Sequence, residues 1–125
     1  MQLEITVPSE VTQAEPVPVT LRLTNTSHQP ITVYLTGRPT AFDIEVANEN
    51  GNVVWRRLAG KTVPAILGVR TLTPGESLSF SESWGQRDQA GRQVPRGTYS
   101  VTGVLPTDAE PIRSRPARLR ILPAP

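Results

Sequence analysis

The residues able to do chemistry are few in this chain of 125 residues, and they are scattered. There is no cysteine, which excludes disulfides, thiol catalysis, zinc ribbons and iron–sulfur clusters. The one histidine, His28, stands in Asn25-Thr26-Ser27-His28-Gln29-Pro30, a string of turn formers and no setting for the base of a serine–histidine–aspartate triad. Asp43, Glu82 and Asp88 do not fall into the Asp-x-Asp-x-Asp-Gly spacing of a calcium loop, so no metal site is expected. No nucleophile, base and orienter come together, and no glycine-rich phosphate loop accompanies the carboxylates. The expectation is a non-enzyme without cofactors.

What remains is the chemistry of recognition, in two stretches. Arg56 to Arg70 reads Arg-Arg-Leu-Ala-Gly-Lys-Thr-Val-Pro-Ala-Ile-Leu-Gly-Val-Arg, which neither alternates nor permits a long helix. An irregular connection of that length is uncommon in a compact domain and is often functional. Leu58, Val63, Ile66 and Leu67 offer apolar anchors to a protein partner, and Pro64 stiffens the stretch between them. The same side chains would alternatively fold inward and plug one end of the fold. Gly85 to Gln93 is polar and reads as a flexible link between strands. It is either a second recognition loop, with Arg87 and Asp88 as its contacts, or a solvated hairpin.

The charges and the one glycosylation-like motif have simpler explanations. Residues 1–110 carry nine basic and eleven acidic side chains, whereas the last fifteen carry Arg113, Arg115, Arg118 and Arg120 and no acid. No aromatic lies among these arginines and the rest of the chain is acidic on balance, so nucleic acid is not expected as a partner. Solubility and protection of a sheet edge account for them. Asn25-Thr26-Ser27 fits a glycosylation acceptor, yet it reads better as a turn.

The elements that must position these stretches are strands. Leu3, Ile5 and Val7 alternate with polar residues, as do Val17, Val19, Leu21 and Leu23, then Ile31, Val33 and Leu35, and Phe42, Ile44 and Val46. Leu78 and Phe80 with Trp84, Tyr99 and Val101, and Leu119 and Ile121 continue the pattern. Period-two alternation makes each a strand with one apolar and one wet face. The punctuation agrees: Asn50-Gly51 is a hairpin signal and Pro74-Gly75 a turn centre. Seven or eight short strands joined by tight turns predict an all-β, antiparallel immunoglobulin-like β-sandwich without a disulfide, spanning residues 1–125 as one domain. The predicted core is Leu3, Ile5, Val19, Leu21, Leu23, Val33, Ile44, Val46, Trp55, Leu78, Phe80, Trp84, Tyr99, Val101, Leu119 and Ile121. No run approaches the length of a membrane span, so no membrane is expected. The N-terminal residues show no signal peptide. A cytoplasmic location follows if Met1 is the native start, and a secreted or periplasmic one if a leader has been removed.

Several motifs taken together resemble the intracellular proteinase inhibitor family (BsuPI-like). They are Leu23-Thr24-Asn25-Thr26-Ser27, Phe42-Asp43-Ile44, Gly51-Asn52-Val53-Val54-Trp55-Arg56, Leu72-Thr73-Pro74-Gly75-Glu76, Trp84 and Pro95-Arg96-Gly97-Thr98-Tyr99-Ser100-Val101-Thr102-Gly103. Their order and spacing cover roughly residues 17 to 105. The pattern departs after Trp55-Arg56, where Arg57-Leu58 and Val63-Pro64-Ala65 stand in place of a second aromatic and a Phe-x-Gln. The resemblance implies an immunoglobulin-like sandwich and a protein partner that is a subtilisin-like serine protease. The other reading is a structural or adaptor module of the same fold, binding a protein through loops or an exposed strand edge.

Overall fold

The structure, a computed structural model, describes residues 1–37 and 39–125. It is built of eleven strands: β1 (Gln2–Thr6), β2 (Glu10–Thr12), β3 (Val17–Thr24), β4 (Ile31–Thr36), β5 (Asp43–Ala47), β6 (Val53–Arg56), β7 (Leu67–Leu72), β8 (Ser77–Trp84), β9 (Gly97–Leu105), β10 (Ile112–Arg113) and β11 (Ala117–Leu122). One sheet has the order β1-β3-β8 and the other β2-β11-β9-β5-β6, with β10 added beside β9. A two-stranded ribbon of β4 and β7 completes the fold. This is an immunoglobulin-like sandwich, as the alternation predicts. The strand count exceeds seven or eight because β2 and β10 are too short to show a period and β7 lacks one.

The sheets face each other because alternate residues are apolar. In β3 the pattern is strict: Val17, Val19, Leu21 and Leu23 are buried while Pro18, Thr20 and Arg22 are exposed. Leu3 joins them from β1, and Ile44, Val46, Tyr99, Val101, Leu119 and Ile121 meet them from the other sheet. Gly103 marks a close approach, since a Cβ there would lie 2.8 Å from Leu21 Cγ. Of the predicted core, Ile5, Trp55, Leu78 and Phe80 are only half-buried, because they sit toward the sheet margins and pack against the core from the side. Phe42, Leu35, Leu72, Val94 and Leu105 take buried places that the predicted core omitted.

One expectation about the tail fails. Arg118 and Arg120 do point outward with Leu119 and Ile121 inward, yet β11 is not an edge to be protected. It lies between β9 and β2, and its pairing with β2 is parallel, unlike the other ladders.

The ribbon leaves the sandwich at a corner made by Asn25. Its side chain is fully buried, and its Nδ2 donates to Gln29 O and Leu72 O at 2.8 Å each. Its Oδ1 accepts from Ser27 N at 2.9 Å and Ser27 Oγ at 2.7 Å. One amide thus replaces the ladder where β3–β8 gives way to β4–β7. With all its valences engaged, Asn25 is a turn-forming residue and not a glycan acceptor in the folded chain.

Candidate functional site

The segment after β6 is rooted by charge. Arg57 N–H donates to Ile44 O at 3.1 Å, and Leu58 N–H donates to Asp43 Oδ1 at 2.9 Å. Asp43 is buried because that oxygen also accepts from Ile44 N, and its other oxygen lies 3.6 Å from Arg56. The Arg57 side chain crosses to the other sheet. Its Nε meets Glu82 Oε2 at 2.8 Å, its Nη1 donates to Phe42 O at 2.8 Å, and its guanidinium sits 3.8 Å from the centre of the Phe42 ring. The N–H of Ser83, then Arg57, hold Glu82 below the ordinary carboxylate range. Two sheet margins, β6 and β8, are therefore tied where the segment departs.

Its far end is pinned too, by Gly37 N–H donating to Ile66 O at 2.8 Å. Between these roots the chain is free: among the described residues, no hydrogen bond engages the backbone of residues 62–65. Pro64 and Ile66 are exposed, whereas Leu58 and Val63 are half-buried and line a groove of about 350 Å³ on the outer face of the larger sheet. Pro106, Thr107, Ala109 and Pro111 form its opposite wall. The floor is an alternating charge network in which Glu45 lies 3.9 Å from Arg56 and 3.3 Å from Arg113.

Leu67 belongs elsewhere. The irregular stretch ends at Ile66, because Leu67 begins β7 and stands opposite Thr36 in the ribbon. The expectation of an unpaired Arg56–Arg70 stretch is thus corrected at both ends, Arg56 lying in β6. Leu67 nevertheless remains exposed, beside Val69 and Tyr34 on one outward face. Sequence reasoning missed Tyr34 and Val69. The available signal was Tyr34 standing in the polar phase of β4, whose apolar phase is Val33 and Leu35.

The loop after β8 is tied down by hydrogen bonds. Gln86 is fully buried and donates from Nε2 to Thr12 O at 2.8 Å and Glu15 O at 2.7 Å, while its Oε1 accepts from Gln93 Nε2 at 3.0 Å. Asp88 Oδ1 accepts from Ala90 N and Arg92 N at 2.9 Å each, and Arg87 Nη1 donates to Gly91 O at 3.0 Å. Both proposed contact residues turn their polar groups onto their own loop. Gln89 lies along the outer edge of β6, its N–H on Val54 O at 3.0 Å and its Oε1 accepting from Arg56 N at 2.9 Å. The loop covers an edge that would otherwise stand open. It adjoins the root of the 57–66 segment through β6.

Among the described residues, no cluster of three or more histidine, cysteine, aspartate or glutamate side chains is placed to hold a metal ion. Nor is any helix long and apolar enough to cross a membrane.

Comparison with known proteins gives the frame. The family model BsuPI, described as intracellular proteinase inhibitor, matches residues 4–110. No curated protein sequence matches the chain. Among solved structures, the chain is similar to the sporulation control protein Spo0M from Bacillus subtilis, at 12% identity and a TM-score of 0.53, covering 96% of this chain and 48% of that one. It is also similar to the alkylpurine DNA glycosylase AlkC of Pseudomonas fluorescens bound to DNA containing an abasic site analog, at 15% identity and a TM-score of 0.51, covering 96% of this chain and 30% of that one. The chain thus spans about half the length of Spo0M and less of AlkC. At these identities the likeness shows the fold alone.

Proposed function

The chain belongs to the intracellular proteinase inhibitor family, and from that membership we propose that it is a non-catalytic binding domain that inhibits a subtilisin-like serine protease through residues 58–66. The observation that carries the reading is a segment clamped at both roots with a free backbone between them. A protease cleft must be offered unpaired backbone donors and acceptors in extended form, and strands that satisfy their own ladders cannot supply them. Clamping the ends lowers the entropy lost on docking, and Pro64 limits the freedom of the middle. Val63, Pro64 and Ile66 then present apolar surface to the subsites. The groove beside Leu58 and Val63 extends the contact toward the roughly 800 Å² per partner of a standard inhibitor interface.

The test is a panel of subtilisin-like serine proteases titrated with the purified protein. Inhibition of at least one member is expected, with a loss of tenfold or more for Ile66→Asp and for Pro64→Gly. A folded protein that inhibits none of them, or inhibition indifferent to both substitutions, would remove this reading.

A further inference from the structure

The ribbon ends in an edge that nothing covers. The bond from Gly37 N–H to Ile66 O sets the phase of the β4–β7 ladder, so Ile66, Gly68 and Arg70 turn their backbone groups toward β4. On β4 the other phase faces away from β7 and is already engaged: Thr36 N–H donates to Pro106 O at 3.4 Å, and Asp108 N–H donates to Tyr34 O at 3.3 Å. The same alternation leaves the N–H and C=O of Leu67, Val69 and Thr71 pointing off the open side of β7. Among the described residues no hydrogen bond engages them.

The side chains suit an interface as well. Tyr34 and Val69 stand directly opposite each other on the outward face and are 43% and 59% exposed, with Leu67 beside them at 45%. From Thr62 to Val69 the chain carries no charge, so the edge has no charged guard before Arg70. The other face turns Val33, Leu35 and Leu72 inward, but at Gly68 it has room, since a Cβ there would meet only Leu35 O, at 3.7 Å.

We propose that β7 pairs antiparallel with β7 of a second copy of this chain, about a two-fold axis through Val69. The register is self-complementary. Val69 faces Val69 of the second copy, Leu67 faces its Thr71, and each outward N–H and C=O finds a partner. The four-stranded sheet then carries a continuous row of Tyr34, Val69, Val69 and Tyr34 across its outer face. Arg70 stands opposite Gly68 of the second copy, so no like charges meet. A two-fold axis at Arg70 would oppose two guanidinium groups, and axes at Gly68 or Leu67 would draw Ala65, which lies outside the strand, into the ladder. The pairing leaves residues 58–66 at opposite ends of the new sheet and does not depend on protease inhibition.

Sedimentation velocity from about 5 to about 500 µM tests the proposal, a range that brackets a weak contact of this size. The wild-type chain is expected to rise with concentration toward twice the monomer mass. Val69→Pro deletes an N–H that faces away from β4, so it is expected to stay folded by circular dichroism and monomeric throughout. Should that variant not fold, Val69→Lys places two like charges at the axis and is likewise expected to be monomeric. Gly68→Glu puts a carboxylate opposite Arg70 of the second copy at two sites and is expected to tighten the dimer about 2- to 30-fold. A wild-type chain that stays monomeric overturns the proposal, as does self-association unchanged in Val69→Lys or a dimer that Gly68→Glu fails to tighten.

Discussion

The two irregular segments of this protein invert the usual association of polarity with availability. Residues 85–93 are polar, yet their hydrogen-bonding groups are largely turned inward, onto Gln86, Asp88 and the margin of β6. Residues 57–66 are more apolar, and their middle leaves its backbone groups unpaired while one end is fixed by Asp43 and Arg57 and the other by Gly37 N–H on Ile66 O. A loop is open to a partner when its backbone has nowhere else to bond, whatever its side chains are made of. Rigidity is likewise placed by contacts and not by composition: the loop richer in polar residues is the better anchored.

The largest expected effect lies at the base of the polar loop. Trp84 is buried, stacks on Trp55 at 5.8 Å, meets Tyr99 edge-on at 6.4 Å and donates from Nε1 to Arg87 O at 3.0 Å. Trp84→Ala is expected to lower stability by about 3–5 kcal/mol in denaturant titrations, enough to threaten the fold. Gln86→Leu comes next, at about 1–3 kcal/mol, because it strands the carbonyl of Glu15 without a donor and leaves that of Thr12 only the N–H of Glu15 at 3.1 Å. If that variant were as stable as the wild type, the loop would be held by something other than its buried amide.

Arg57→Met tests the other segment at its root. Loss of the Glu82 pair, the Phe42 carbonyl and the ring contact is expected to lower stability by about 1–2 kcal/mol. It is also expected to speed limited proteolysis within residues 58–66. The root has a pH signature. Glu82 has a folded pKa below its ordinary 4.5, so its contribution is present above that value and is lost as pH falls through the lowered one. Proteolysis of the segment is therefore expected to rise on acidification in the wild type, and less so in Glu82→Gln. The smallest effect belongs to Ile66→Asp, expected within about 0.5 kcal/mol of the wild type because the side chain is exposed. A cost comparable to that of Gln86→Leu would mean that the segment plugs the fold instead of standing free.

Much of the fold was legible in the residues because a strand buried on one face writes a period of two into its own sequence. Val17 to Leu23 and Leu119 to Ile121 say which side is inside before any partner strand is known. β7 was not legible, because Leu67 and Val69 point to solvent and Gly68 and Arg70 to a sparsely covered face. With Leu72, at the very end of the strand, as its one core residue there is no alternation to read. The region of the candidate site was visible as a stretch that fails to alternate, and Leu58, Val63, Pro64 and Ile66 do lie in it. Its clamps were not visible, since Asp43, Glu82 and Arg57 are 14 to 39 residues apart in the chain.

By itself, then, the order of residues determined the class of fold, the inward side of most strands and the turns at Asn50-Gly51 and Pro74-Gly75. These are local properties, carried by neighbours one or two positions apart. Only the tertiary structure decided that Asn25 turns the corner into the ribbon, that a polar loop seals β6 and that β7 is left open. Each of those depends on which distant backbone group finds a partner, and such pairing is settled by the packing of whole sheets.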